Sequence, residues 1–173
     1  LVFATIPTSF MDEHSLRMSP DGQFLYASRS PTDDVIVIST ATNTIVNTIT
    51  GFDNAHEMDI TPDGSLMYVA NRRGDNVQVV DLSSNTIVTT ISDGSFNDPW
   101  GLVIIGDYCY VSMANSCNSL VIIDITSNTV VGNIALPLCD AYGIGKIESG
   151  PAFITTIPDT GDTIAPGGSV MIT

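Results

Sequence analysis

Residues 61–91 read TPDGSLMYVANRRGDNVQVVDLSSNTIVTTI. A Pro-Asp-Gly turn leads into a strand at Leu66 to Ala70, a charged loop, a strand at Val77 to Asp81, an Asn-Thr turn and a strand at Ile87 to Ile91. The pattern recurs. Pro20-Asp21-Gly22 precedes Pro62-Asp63-Gly64 by 42 residues, Asn43-Thr44-Ile45-Val46 precedes Asn85-Thr86-Ile87-Val88 by the same 42, and Asn128-Thr129-Val130-Val131 follows 43 later. A fixed period of this size marks a repeat architecture, in which each unit buries its apolar faces against its neighbours.

Outward from this stretch, the first unit spans about 14–49, the second 56–91, the third 100–134 and the fourth 142–173. In the first, strands are expected at Ser15 to Ser19, Phe24 to Ser28, Val35 to Ser39 and Ile45 to Ile49, with Asp21-Gly22 as a hairpin turn between apolar runs. The fourth unit ends one strand short. The opening run Val2-Phe3-Ala4-Thr5-Ile6 aligns without a gap on Ile45-Val46-Asn47-Thr48-Ile49, and supplies the missing strand. The chain is thus a circular permutation of four complete units, read as a single domain over 1–173.

Four short antiparallel strands repeated every 40-odd residues are the signature of a propeller blade. Val35-Ile36-Val37-Ile38, Val77-Gln78-Val79-Val80 and Leu120-Val121-Ile122-Ile123 are largely apolar on both alternating faces. A sheet sandwiched between two others requires this, whereas a one-faced sheet shows clean alternation. The expected fold is all-β: a propeller of four four-stranded antiparallel blades, with residues 2–6 completing the last blade. That strand is donated in cis, closing one chain, or in trans, giving an eight-bladed dimer or an open-ended filament.

Tyr68-Val69-Ala70-Asn71, preceded by Thr61-Pro62-Asp63-Gly64 and followed by Asp81 to Ile91, resembles the YVTN-type β-propeller repeat of archaeal and bacterial surface-layer proteins. The resemblance covers the whole chain. It is closest in the second unit and most eroded in the fourth, where Phe153-Ile154-Thr155-Thr156 replaces the Tyr-Val-x-Asn run. It implies a surface-layer-like propeller, usually of seven blades, where this chain supplies four. Lactone-hydrolysing enzymes share the repeat type, which makes a small hydrolase the enzymatic alternative.

Nineteen acidic against five basic residues give a net charge of −14. Nucleic-acid binding depends on Lys and Arg neutralising phosphates, so that class is excluded. No apolar run approaches the ~20 residues of a membrane helix, so no membrane insertion is expected. The chain opens at Leu1 rather than Met, as after removal of a leader or excision from a longer chain. Acid spread through loops points to a soluble, self-repelling surface, outside the cell or at its surface.

The sequence sorts candidate residues by face, because loops entering each unit and loops joining its second and third strands share one end of a propeller. His14, His56, Trp100 and Tyr142 occupy one repeat position at the channel mouth and are the ligand candidates. Two imidazoles with Asp12, Glu13, Glu57 and Asp59 nearby fall short of a metal site, and no metal or cofactor is expected. Cys117 and Cys139 fall in neighbouring loops of the same face, where a disulfide is expected, and Cys109 sits mid-strand as packing. Asp33, Asp34, Asp75, Asp159 and Asp162 recur at loop tips without an Asp-x-Asp-x-Asp-Gly loop and read as turn-formers rather than calcium ligands. Arg73-Gly74-Asp75 is an integrin-type tripeptide in an ordinary turn. No Gly-x-Ser-x-Gly elbow is present, and neither histidine has a nucleophile partner at a suitable spacing. The function expected is a non-enzymatic structural or interaction module whose partner is a protein or a further copy of itself, as a homo-oligomer through the N-terminal strand.

Overall fold

In the first unit, the Ser19 hydroxyl and the Gln23 N–H donate to Asp21 Oδ1 at 2.6 and 3.0 Å. In the second, Thr61, Asp63 and Ser65 repeat the arrangement. Gly22 (φ +71°) and Gly64 (φ +74°) then take left-handed conformations that a Cβ would strain. These turns hold the hairpins from which a computed structural model of the chain is built. It describes residues 6, 13–114, 119–135, 143–145, 152–155 and 170–172.

Fifteen strands are described. Blade 1 comprises β1 (Glu13–Met18), β2 (Phe24–Arg29), β3 (Asp34–Ser39) and β4 (Thr44–Thr50). Blade 2 comprises β5 (Ala55–Ile60), β6 (Leu66–Asn71), β7 (Asn76–Asp81) and β8 (Thr86–Ile91). Blade 3 comprises β9 (Pro99–Ile105), β10 (Tyr108–Met113), β11 (Ser119–Asp124) and β12 (Thr129–Ala135). Each is a four-stranded antiparallel meander, and β13 (Gly143–Gly145), β14 (Ala152–Thr155) and β15 (Val170–Ile172) form a fourth, three-stranded sheet. The all-β, propeller-type expectation holds. Among the described residues no helix is long and apolar enough to cross a membrane.

Packing follows the two-faced strands. Between blades 1 and 2, Tyr26, Val35 and Val37 meet Met58, Met67, Val69 and Val80, all buried. Between blades 2 and 3, Tyr68, Ala70, Val77 and Val79 meet Leu102, Ile104, Val111 and Ile123. Successive residues of one strand therefore belong to different interfaces, and a one-residue slip would exchange them. Each buried Val, Ile or Leu contributes roughly 1.5–3 kcal/mol, so the interfaces, more than the ladders, hold the blades together.

The outermost strands behave differently. Pairing shifts by one residue at Val37/Ile38, Val79/Val80 and Ile122/Ile123, which leaves Val46, Val88 and Val131 as unpaired bulge residues. All three are more than half exposed. The valine of the Asn-Thr-Ile-Val motif thus serves the twist of the edge strand rather than the core. Asn43, Asn85 and Asn128 precede these bulged strands with φ of 54°, 54° and 55°, the left-handed conformation that Asn tolerates well.

Of the opening strand 2–6, Ile6 is described: it is half-buried and packs against Ala27, Ile36 and Ile38, on the face of blade 1 turned away from blade 2. Residues 2–5, and hence the closing strand as a whole, lie outside the described residues. On that same face Leu16 and Met18 are 55% and 53% exposed. Their counterparts on the next inner strands, Met58 and Ile60 on β5 and Leu102 and Ile104 on β9, are at most 7% exposed. Among the described residues no further blade covers these two side chains.

Candidate functional site

The inner strands carry a second set of irregularities. Pairing of β1 with β2 shifts between Glu13 and Ser15, that of β5 with β6 between Ala55 and Met58, and that of β9 with β10 between Val111 and Met113. His14, His56 and Trp100 sit in these irregular stretches, where a bulge re-aims a side chain out of the ladder. The sequence places these residues at one repeat position, and the structure brings their rings into tilted contact. The His14 and His56 rings lie 4.2 Å apart between centroids, and His56 and Trp100 4.1 Å. The Arg72 guanidinium covers the Trp100 ring at 4.2 Å, a cation–π contact. Tyr142, the fourth candidate, lies outside the described residues.

His56 is the buried centre of this row, 3% exposed, while His14 is exposed. Its Nδ1 lies 3.2 Å from the Trp100 carbonyl oxygen, which fixes the proton on Nδ1, and its Nε2 is buried without a partner among the described residues. Burial, followed by the charge of His14, pushes the His56 pKa down to about 4. A buried imidazole resists ionisation because desolvation penalises the charged form. At neutral pH His56 is therefore an uncharged ring packed between two others.

Of the four acidic neighbours, Glu57 and Asp59 are already engaged, and Asp12 lies outside the described residues. Glu57 Oε1 accepts from the Ser15 hydroxyl at 2.7 Å and from Arg17 at 2.6 Å, and Asp59 Oδ2 accepts from the Ile104 N–H at 2.8 Å. Among the described residues no group of three His, Cys, Asp or Glu side chains is placed to hold a metal ion.

The loop-tip aspartates resolve into a device that recurs from blade to blade. Asp33 Oδ1 accepts from the Asn54 N–H and Asp75 Oδ1 from the Asp98 N–H, both at 2.7 Å. Each carboxylate ties a loop of one blade to the strand that opens the next. All four residues have φ between 48° and 66°. Asp75 of the Arg73-Gly74-Asp75 tripeptide is thus an interblade tether. A cleft of about 390 Å³ beside it is lined by Asn54, Arg72, Arg73, Asp75, Asn97 and Asp98, with Arg72 and Asp98 joined as an ion pair. Asp159, Asp162, Cys117 and Cys139 lie outside the described residues, and Cys109 is buried as packing.

Sequence reasoning placed the aromatic row but missed Arg72 and the Tyr68 latch. Tyr68 donates to Asn128 Oδ1 at 2.6 Å, across blades 2 and 3 on the Asp-Gly-turn face. The recurrence of Tyr26/Tyr68 and of Asn43/Asn85/Asn128 was the signal that could have found that latch.

With this geometry established, comparison with known proteins gives three results. The family model described as "Lactonase, 7-bladed beta-propeller" matches residues 2–97, more than half of the chain. Among curated proteins no match is found. Among solved structures, the chain is similar to hydrazine synthase of Kuenenia stuttgartiensis, with a TM-score of 0.77 at 23% identity over 92% of this chain and 46% of that one. It is also similar to U3-55K (TM-score 0.68, 14% identity, 83% of this chain and 48% of that one). The WD40 repeats of RRP9 match with a TM-score of 0.70 at 13% identity, over 90% of this chain and 49% of theirs. At these identities the likeness is one of fold. The chain spans just under half the length of the solved structures it matches.

Proposed function

Since the chain belongs to the lactonase family of seven-bladed β-propellers, we propose that it is a non-enzymatic propeller module that works by associating with another protein, a further copy of itself included. The observation that carries this reading is the open face of blade 1. Leu16 and Met18 are 55% and 53% exposed at positions where the next two blades bury the equivalent side chains. Covering these two side chains is worth about 1 kcal/mol each, half of a full burial. A face that is an interblade interface elsewhere in the chain has the right shape and apolarity for another blade of the same type. The loop-face tethers and the buried, neutral His56 support a structural role for the channel mouth. The finer resemblance to surface-layer repeats, and a site of action outside the cell or at its surface, belong to this proposal, supported by the net charge of −14.

Light scattering over a concentration range tests it. The wild-type mass is expected to rise above that of the monomer, and Leu16→Glu with Met18→Glu to return it to the monomer without lowering the thermal midpoint. A monomeric wild type at every concentration would overturn self-association through this face.

A second reading, a lactone hydrolase using the channel mouth, is favoured by the family match. Hydrolysis of a simple lactone that disappears in the His14→Ala, His56→Ala double variant, with folding retained, would establish it in place of the first.

A further inference from the structure

On the Asp-Gly-turn face, blades 1 and 2 enclose a cleft of about 530 Å³. The same repeat positions are used differently at the two interblade boundaries. Between blades 2 and 3 the Tyr68 hydroxyl is spent, donating to Asn128 Oδ1 and lying 3.2 Å from the Ile125 carbonyl oxygen. Between blades 1 and 2 the equivalent pair is Tyr26 and Asn85. Tyr26 is 3% exposed and lines the cleft, and among the described residues its hydroxyl makes no hydrogen bond. Asn85 Oδ1 is buried without a partner among the described residues. A latch that is made at one boundary is open at the next, with a cavity in front of it. The Tyr26 side chain lines this cavity, so its hydroxyl is within reach of a ligand bound there.

The chemistry of the walls says which partner. Asp21, Asp63 and Asp81 line the cleft with Phe24, Tyr26 and Leu82, and no basic residue does. Hydrogen bonds from Ser19, Thr61 and Ser83, in that order, are the largest cause holding the three carboxyls below their ordinary value. All three are ionised at neutral pH. These bonds fall chiefly on Oδ1, and Asp21 and Asp81 keep Oδ2 for another donor. A cleft lined by Phe24, Tyr26 and three carboxylates suits a cation with an apolar body and N–H donors.

We propose that this cleft binds a small organic ammonium ion, an alkyl diamine or polyamine, whose nitrogen meets the open Tyr26 hydroxyl while its charge faces Asp21, Asp63 and Asp81. The proposal stands apart from the association reading, since the cleft lies between blades 1 and 2 and not on the open face of blade 1.

Titration calorimetry with 1,5-diaminopentane and spermidine, and separately with calcium, tests it on the full chain. Tyr26→Phe keeps the ring and its burial, and is expected to weaken amine binding about tenfold, the loss of one charge-assisted hydrogen bond. Asp81→Asn is expected to weaken it by a similar factor. Asp107→Asn, which removes one exposed charge from the corresponding turn of blade 3, is expected to change binding less than about twofold. Thermal midpoints of the variants confirm that they fold. The absence of amine binding would overturn the proposal. So would equal weakening by Asp107→Asn, which is the mark of a diffuse surface field, or binding of calcium alone, which would make the site an oxygen cage for a metal ion.

Discussion

His56 makes the stability of this protein depend on pH in a window of its own. In the unfolded chain an imidazole titrates near 6.5, while in the fold burial and the charge of His14 hold it at about 4. Between these values the unfolded state binds a proton that the folded state refuses, so stability rises with pH across the window. The sign is therefore fixed: the contribution is complete above pH 6.5, declines as pH falls, and is gone once the folded-state group itself titrates near 4. Each pKa unit is worth about 1.4 kcal/mol, so the interval amounts to about 3 kcal/mol, a large part of the 5–15 kcal/mol typical of a domain. The assay is urea unfolding at pH 7, 5.5 and 4.5, on wild type and on His56→Phe, which keeps a ring between His14 and Trp100. The wild type is expected to lose about 3 kcal/mol more than the variant over the window. Carboxylates such as Asp21 and Asp63, held below their ordinary value, contribute only at lower pH and do not confuse the comparison. Equal slopes in the two proteins would show that His56 is accessible and protonates in the folded state, and would refute the account of a buried, neutral ring.

Three further outcomes follow from named contacts. Arg29 holds Asp34 through two bonds of 2.7 Å, with both side chains largely buried. Arg29→Met leaves a buried carboxylate alone, and should cost about 3 kcal/mol by urea unfolding. Tyr68→Phe removes the donor to Asn128 and should cost about 1 kcal/mol by the same measurement, as a net hydrogen bond does. At Gly101 a Cβ would lie 2.7 Å from Ser112 Oγ and 3.2 Å from the backbone nitrogen of Ile144, so Gly101→Ala should destabilise by about 1–3 kcal/mol, visible as a lowered thermal midpoint.

Much of the fold was legible because its cause is local and periodic. The Asp-Gly turns, the left-handed Asn residues and the apolar runs on β3, β7 and β11 each act within a few residues, and the period of 42–43 states that the same solution is used again. The edge strands were less legible. Val46, Val88 and Val131 are as apolar as core residues, but a bulge in β4, β8 and β12 turns them to solvent. The candidate site was legible only in part. A shared repeat position brings His14, His56 and Trp100 to one rim, and the sequence contains that much.

What the sequence by itself determined is the unit: a four-stranded blade with two apolar faces, repeated, and therefore obliged to stack. Only the tertiary structure decided what each copy does, because that depends on which neighbour a face meets. Met58 is buried against blade 1 while Leu16 is exposed, with no adjoining blade among the described residues, although both occupy one repeat position and both are apolar. Tyr68 donates to Asn128, whereas among the described residues no hydrogen bond joins Tyr26 to Asn85, although the two pairs occupy the same repeat positions. Local propensity is blind to such differences, which arise from distances between residues some 60 positions apart, such as Tyr68 and Asn128.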